Sequence, residues 1–321
     1  MSISVVQVGF GSVGRRRAEM LEADARVRLV GIVDVDADAR AKAAARYGSD
    51  RVTADYTATL AKTSPDAVVV STPNQTHCEV ALHALEVRAH VLCEKPLSIR
   101  MSDARAMEQA ARSSGRILKL GANHHFFPAV VEARRLMKTG TLGGFLSAEV
   151  AVGHGRLATL PGWLRDPTMS GGGTLIDNGS HAVLLACKLF EASGSTATRA
   201  GCELQMKNGV DVLAKGFVED AQGRRIDIRS TWIGSEGYEF HVVIRGEEGV
   251  LTIPDPGTLM RDDRALPVHE GFSWALDTAD FVRAIVDGDS PEVGVGDAMR
   301  CMSVIMALYE SAARGEHVVI P

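Results

Sequence analysis

The chain has 321 residues, 45% of them hydrophobic and 23% charged, with a formal net charge of -5 and a pI near 6.1. That length and apolar content can fill a sizeable core and point to two domains rather than one. The mildly acidic balance gives no electrostatic reason to bind nucleic acid or an anionic membrane. No apolar run approaches the roughly 18 residues of a membrane span, and MSISVVQVGFGSVG enters structure without a signal-peptide cleavage pattern, so a cytoplasmic address is expected.

The first 122 residues alternate short β-branched runs with helical stretches. ISVVQVG, VRLVGIVD, DAVVVST, AHVLCEK and RILKLGA are apolar nearly throughout, as strands of a parallel sheet covered on both faces are. Between them SVGRRRAEMLEA, DADARAKAAARYG, NQTHCEVALHALEV and SIRMSDARAMEQAARSSG have helical patterns. The expected fold is therefore α/β, with an N-terminal doubly wound parallel sheet of the Rossmann type over 1–122. From 123 the rhythm changes. FLSAEVAVG, RAGCELQM, GVDVLAKGFVE, RRIDIRSTWI, YEFHVVIRG and GVLTIP are longer strands joined by turns such as KNG and AQG, which predicts a C-terminal α/β domain over 123–321 with a large, mostly antiparallel open sheet. RRIDIRSTWI alternates in polarity, so one face of that sheet should be solvated or used for association. Two helices, near ALDTADFVRAIVDG and GDAMRCMSVIMALYESAARG, close the chain, and Ala298, Met302, Ile305 and Tyr309 form a stripe expected to pack in the core.

The five cysteines (Cys78, Cys93, Cys187, Cys202, Cys301) are scattered and never spaced as CxxC, and the ten histidines contain no HExxH, so neither a disulfide framework nor a metal site is expected. The glycines are more informative. GFGSVG, residues 9–14, follows a strand and opens a helix, the context that a dinucleotide fingerprint requires. Gly9 suits the tight turn, Gly11 the approach of a pyrophosphate and Gly14 close helix packing, with Phe10, Ser12 and Val13 completing the loop. Asp34 ends the second strand where a carboxylate binds the ribose hydroxyls and repels a 2′-phosphate; with Val35 and Asp36 next and no arginine beside them, NAD is favoured over NADP. Ser71, Thr72, Pro73, Asn74 (as an N-cap) and His77 leave another strand at the same carboxyl edge, followed by Glu94 and Lys95 of CEKP. By position alone Lys95 is either a surface lysine or an active-site cation. SGGGTLIDNGSH, residues 170–181, sets three glycines before Asp177 and His181, which share a helical face if a helix starts near Asp177.

GFGSVG, Asp34, STPNQTH, EKP and GWLRDPTMSGGGTLIDNGSH stand in the order and spacing of the Gfo/Idh/MocA oxidoreductases, which the whole chain resembles. The resemblance implies a Rossmann domain, NAD or NADP, sugars, sugar derivatives or cyclic polyols as substrates, and a homodimer or homotetramer formed through the C-terminal sheet. It assigns Lys95, Asp177 and His181 as the catalytic trio, with an often cis Lys95–Pro96 peptide. Two departures mark the region where the substrate is read: NHHFFP at 123–128 replaces arginine with His124 and His125, and the area of Phe272 and Trp274 replaces a tyrosine.

On this reading His181 is the base that takes the alcohol proton, its ordinary pKa of roughly 6.5 lying near working pH. Asp177 orients the ring or binds substrate. Lys95 binds the same oxygen and either stabilises alkoxide character or shares the proton relay. The glycines are expected to let nicotinamide and sugar approach closely. Trp163 and Arg165 are expected beside the nicotinamide, and His124 and His154 are substrate-contact candidates. An NAD-dependent glycosidase that oxidises its sugar transiently to eliminate a bond, and a catalytically silent NAD and sugar sensor, are the competing readings.

Overall fold

The computed structural model describes residues 2–234 and 237–321. The chain forms two compact units, one of residues 1–122 with 274–299 and one of 123–273 with 300–321. In the first, β1 (Ile3–Val8), α1 (Ser12–Ala23), β2 (Val27–Val33), α2 (Ala37–Tyr47), β3 (Val52–Thr53), α3 (Tyr56–Thr63), β4 (Ala67–Val70), α4 (His77–Glu86), β5 (His90–Glu94), α5 (Met101–Ser114) and β6 (Leu118–Gly121) follow one another. The six strands are parallel in the order β3-β2-β1-β4-β5-β6, the doubly wound Rossmann arrangement. Strand order reverses between β1 and β4, which opens a crevice at their carboxyl ends. The short pair β3 and α3 was not anticipated: the two residues of β3 and the eight of α3 are too few to show a clear period.

The helix Ser273–Asp287 contributes Phe281 and Val282 to the core that holds Val5, Leu21, Ile32 and Leu92. Its docking is ionic as well. The guanidinium of Arg17, wholly buried on α1, donates from Nε to Glu94 (2.7 Å), from Nη1 to Thr278 (3.0 Å) and from Nη2 to Asp277 (2.5 Å). Lys119 Nζ on β6 lies 2.9 Å from Asp277 and 3.1 Å from Asp280. Burial pushes the Asp277 carboxyl up, but Lys119 and Arg17 outweigh it and hold the group below its ordinary value. Trp274 stacks over Arg17 at 4.7 Å and over Arg16 at 5.1 Å.

The second unit contains α6 (Pro128–Lys138), β7 (Phe145–His154), the single turn α7 (Pro167–Ser170), α8 (Thr174–Ala192), β8 (Arg199–Lys207), β9 (Val210–Glu219), β10 (Arg225–Thr231), β11 (Tyr238–Gly246), β12 (Gly249–Asp255), β13 (Thr258–Arg261) and β14 (Arg264–Leu266). After α9 (Ser273–Asp287, described above), α10 (Val295–Arg314) and β15 (Val318–Val319) end the chain. Nine strands run in the order β14-β13-β12-β11-β7-β10-β9-β8-β15, antiparallel except for the β7/β10 pair. The long helix α8 covers β7, β9 and β10. On the other face of the sheet, β10 alternates exposed Arg225 and Asp227 with buried Ile226 and Ile228. That face is charged: Glu149, Lys215, Arg225, Asp227, Arg229 and His241 line a shallow concavity of about 780 Å³. In the stripe on α10, Ala298, Met302 and Ile305 are buried. No helix among the described residues is long and apolar enough to cross a membrane.

Removing one partner of a buried ionic cluster strands the opposite charge. Asp277→Ala is therefore expected to lower stability by about 3–5 kcal/mol in urea unfolding, and a loss below 1 kcal/mol would show that the cluster does not fasten α9. Because the Asp277 carboxyl is held low, its contribution is complete above the ordinary carboxylate value of about 4 and is lost as pH falls below it. The wild-type midpoint should thus drop with acid more steeply than that of Asp277→Ala.

Candidate active site

The loop after β1 is shaped to admit a diphosphate. Gly9 turns at φ +86°, and a Cβ there would collide with the Ser71 carbonyl, so the loops after β1 and β4 can touch only at a glycine. A Cβ on Gly11 would instead meet nothing within 4 Å, leaving that backbone open to a ligand. Gly11 provides no side-chain cap for α1, so the first N–H groups of the helix are available to an anion. Asp34, half-buried at the end of β2, accepts from the Phe10 N–H (2.6 Å) and the Asp36 N–H (2.8 Å), fixing its carboxylate beside the glycine loop. These features fit an NAD-type dinucleotide. Ser12 and Val35 are exposed, while Val13, Ser71, Thr72 and Pro73 are half-buried along the same edge.

Several residues expected to touch the cofactor are turned elsewhere. The Phe10 side chain lies in the core, edge-on to Tyr47, so only its backbone faces the loop. The Glu94 carboxylate points inward to Arg17. His77 is fully buried, its ring nitrogens 2.8 Å from the Pro96 carbonyl and 2.9 Å from the Thr72 carbonyl. It joins the STPN loop to the EKP loop and has no surface for a ligand; burial lowers its pKa from the ordinary histidine value. Asn74 begins a 3-10 turn instead of capping α4, which starts at His77. The Lys95–Pro96 peptide is cis, and the Lys95 side chain is half-buried just beyond β5.

On the second unit, α8 begins at Thr174, three residues before Asp177, so Asp177 falls in its first turn and His181 in the next. The helix is anchored by Asp211 of β9, a carboxylate only 1% exposed. Asp211 accepts from the backbone N–H of Gly173 and of Leu175, both at 2.7 Å, and from the Tyr309 hydroxyl at 3.0 Å. Two glycines of the run serve this anchor. A Cβ on Gly173 would overlap the Asp211 backbone, and one on Gly172 would overlap the Tyr309 hydroxyl. Burial and the neighbouring Asp211 push the Tyr309 pKa upward, so this hydroxyl remains a donor.

Asp177 and His181 are each half-buried, with the residues between them buried. Asp177 Oδ2 accepts from the indole Nε1 of Trp232 at 3.0 Å; that indole is wholly buried against Val210 and Val212. The His181 ring stacks on His124 with centroids 3.5 Å apart, and His124 stacks in turn on Phe127 at 4.7 Å. The Tyr238 hydroxyl lies 3.0 Å from His124 Nε2, and Phe240 meets the His124 ring edge-on. His124 is thus brought to His181, whereas His125 is buried and bonded to Arg134 at 2.6 Å.

His154 ends β7 opposite Tyr238 and lines a cleft of about 260 Å³ with Arg229, Thr231 and Glu239. Trp163 is half-buried and Arg165 exposed on the turn Gly162–Arg165, whose Leu164 packs beside Trp232. Phe272 is exposed, and Trp274 is committed to the Arg17 cluster, so the aromatic that reaches His124 is Tyr238, not this pair. Asp211, Trp232, Tyr238 and Tyr309 carry no motif, and only the fold brings Asp211, Trp232 and Tyr309 to α8 and Tyr238 to His124.

A hydrogen bond to a charged group contributes about 1.5–3 kcal/mol. Trp232→Phe keeps an aromatic ring in the core, at the cost of a small cavity, but removes the donor to Asp177, and is expected to lower kcat/KM by roughly 10–100-fold with an unchanged circular dichroism spectrum. Full activity in this variant would separate the indole from Asp177 function.

Comparison with known proteins agrees with these two halves. The model described as the oxidoreductase family with an NAD-binding Rossmann fold matches residues 3–122, and that of the GFO/IDH/MocA C-terminal domain matches residues 130–252. The chain is 30% identical to 1,5-anhydro-D-fructose reductase of Ensifer adhaerens over 78% of each chain. It is 26% identical to inositol 2-dehydrogenase 2 of Saccharopolyspora erythraea over 98% of this chain and 94% of that one. Its fold matches GenD2 from gentamicin A biosynthesis, solved in complex with NAD, with a TM-score of 0.89, 27% identity and coverage of 100% of this chain and 97% of the other. The chain therefore belongs to the Gfo/Idh/MocA family of oxidoreductases.

Proposed function

We propose that this oxidoreductase is an NAD-dependent dehydrogenase that interconverts a secondary alcohol and a ketone on a sugar, sugar derivative or cyclic polyol, with Lys95, Asp177 and His181 as its catalytic groups. The observation that carries the reading is the pairing on α8: Asp177 held by the Trp232 indole, and His181 one turn later with its ring plane set by stacking on His124. An imidazole held this way can receive a hydroxyl proton on a ring nitrogen without first searching for its orientation. Asp177 is positioned to orient that imidazole or a substrate hydroxyl. Lys95 supplies an ammonium that binds the reacting oxygen and favours its developing negative charge. Bound nicotinamide supplies the hydride acceptor. The substrate class is supported by the relatives named for anhydrofructose and inositol chemistry. Asp34 favours NAD over NADP because its carboxylate repels a 2′-phosphate.

The same reading puts the enzyme in the cytoplasm, supported by cysteines that are scattered along the chain and never spaced as CxxC. It makes the charged outer face of the nine-stranded sheet the surface through which copies associate as a homodimer or homotetramer.

The test offers purified protein NAD and NADP separately against inositols, aldoses, sugar phosphates and nucleotide sugars while reduced nicotinamide is followed by absorbance. NADH formation with one substrate group is the expected result. NAD binding with silence across the whole panel would overturn the dehydrogenase reading. His181→Ala and Lys95→Ala are each expected to slow the chemical step by about 100-fold or more while NADH still binds; wild-type turnover in either would remove that residue from the mechanism.

A further inference from the structure

The glycine loop leaves the parallel sheet at the carboxyl ends of its strands. At the opposite edge, by the amino ends of β1, β4, β5 and β6, a cavity of about 320 Å³ is walled by Ile285 and Val286 of α9 and by Asp66, Arg88, His90 and Arg116. Arg88 and Arg116 follow the ends of α4 and α5, and neither forms an ion pair among the described residues. Arg88 turns at φ +64°, a region that glycine enters at lower cost. Asp66 is turned to Ser4, accepting from its N–H and its hydroxyl at 2.7 Å each. His90 opens β5, and both of its ring nitrogens face donors. The Ile117 N–H donates to Nδ1 at 3.1 Å, and Arg116 Nη1 lies 3.1 Å from Nε2. A neutral imidazole carries one ring hydrogen. With Nδ1 accepting, that hydrogen is on Nε2 and meets the guanidinium donor against donor. Burial and the neighbouring Arg116 hold the His90 pKa below the ordinary histidine value, so the ring stays neutral and the mismatch stands. Arg116 Nε is shut off from solvent and has no hydrogen-bond partner among the described residues.

We infer that this cavity is a phosphate site, taking inorganic phosphate or the phosphate group of a small sugar phosphate, with His90 and Arg116 as its donors and Arg88 at its rim. A phosphate oxygen between the His90 Nε2–H and the Arg116 guanidinium turns a contact of two donors into two hydrogen bonds. A tetrahedral anion also presents oxygens toward Arg88, whereas a planar carboxylate is matched by the fork of one guanidinium alone. Asp66 opposes the anion by charge, but two guanidinium groups outweigh one carboxylate. Ile285 and Val286 keep water from one side, and charge-assisted hydrogen bonds are stronger where water is excluded. Offsetting the carbonyl ends of α4 and α5 accounts for the charges of Arg88 and Arg116. It does not account for two donors set face to face. The cavity and the glycine loop lie at opposite ends of the strands, so both can be filled at once.

Calorimetric titration of the full-length protein tests this at constant ionic strength, with NADH saturating so that the glycine loop is filled. Inorganic phosphate is expected to bind wild type saturably. Arg116→Ala is expected to weaken that binding roughly 10–100-fold. Arg116→Lys, which keeps the charge and loses the fork, should fall between. His90→Asn, whose side-chain oxygen can still accept from the Ile117 N–H, removes the Nε2 donor and should weaken binding about tenfold. NADH affinity should stay within about twofold of wild type in all three variants, as expected of a distant site. Glucose 6-phosphate as a second titrant separates the two sources. Tighter binding than inorganic phosphate, with the same loss in Arg116→Ala, identifies a sugar phosphate as the ligand; weaker binding identifies the free anion. Absence of saturable phosphate binding to wild type, or affinity unchanged in Arg116→Ala and His90→Asn, would show that Arg88 and Arg116 only offset the helix ends and would overturn the inference.

Discussion

A carboxylate removed from water must be met by donors, and Asp277 and Asp211 impose that demand at the two places where this fold is fastened. Asp277 gathers Arg17 from α1, Lys119 from β6 and the Ala122 N–H, at 2.5, 2.9 and 3.1 Å, and so ties α9 to the parallel sheet. Asp211 gathers the N-terminal N–H groups of α8 and the Tyr309 hydroxyl of α10. Apolar contact is tolerant of small shifts, whereas these hydrogen bonds are directional and fail quickly with misalignment. The positions of β5 and α8, which carry the candidate catalytic residues, follow from these two anchors.

The local chemistry divides along the same lines. Glu94 is spent on Arg17, and His77 on the Thr72 and Pro96 carbonyls, so the residues flanking the ligand loops are scaffolding. Exposed and half-buried surface is left to Gly11, Asp34, Val35 and Lys95. On α8 the division is sharper. Asp177 and His181 are half-buried between turns that are otherwise enclosed, each with an aromatic partner: Trp232 for the carboxylate and His124 for the imidazole. The side chains set by such partners are those whose orientation a proton transfer requires.

Much of the architecture was legible because periodicity reports burial. The five apolar runs of the first 122 residues are strands of the parallel sheet, and the alternation in RRIDIRSTWI is the alternation of a sheet with one charged face. What escaped was short or nonlocal. β3, β13, β14 and β15 have four residues or fewer, and α6, PAVVEARRLMK, opens on a proline in a segment where strands dominate. The glycines at 171–173 were legible as a need for space, but not what fills the space: Asp211 lies 38 residues from Gly173, and Tyr309 lies 98 from Asp211.

The sequence by itself determined the α/β class, the dinucleotide loop, the acidic end of β2 and the four-residue spacing of Asp177 and His181, because each is a pattern of neighbouring residues governed by local backbone geometry. Only the tertiary structure decided that Glu94 and His77 are internal supports, that the glycine run seats Asp211 and Tyr309, that residues 274–299 pack with the parallel sheet, and that His124 and not His125 stacks on His181. Those outcomes depend on which distant donors and rings arrive at the same point. Chain composition and spacing hold no record of such meetings, because they are set by the packing of whole helices and sheets.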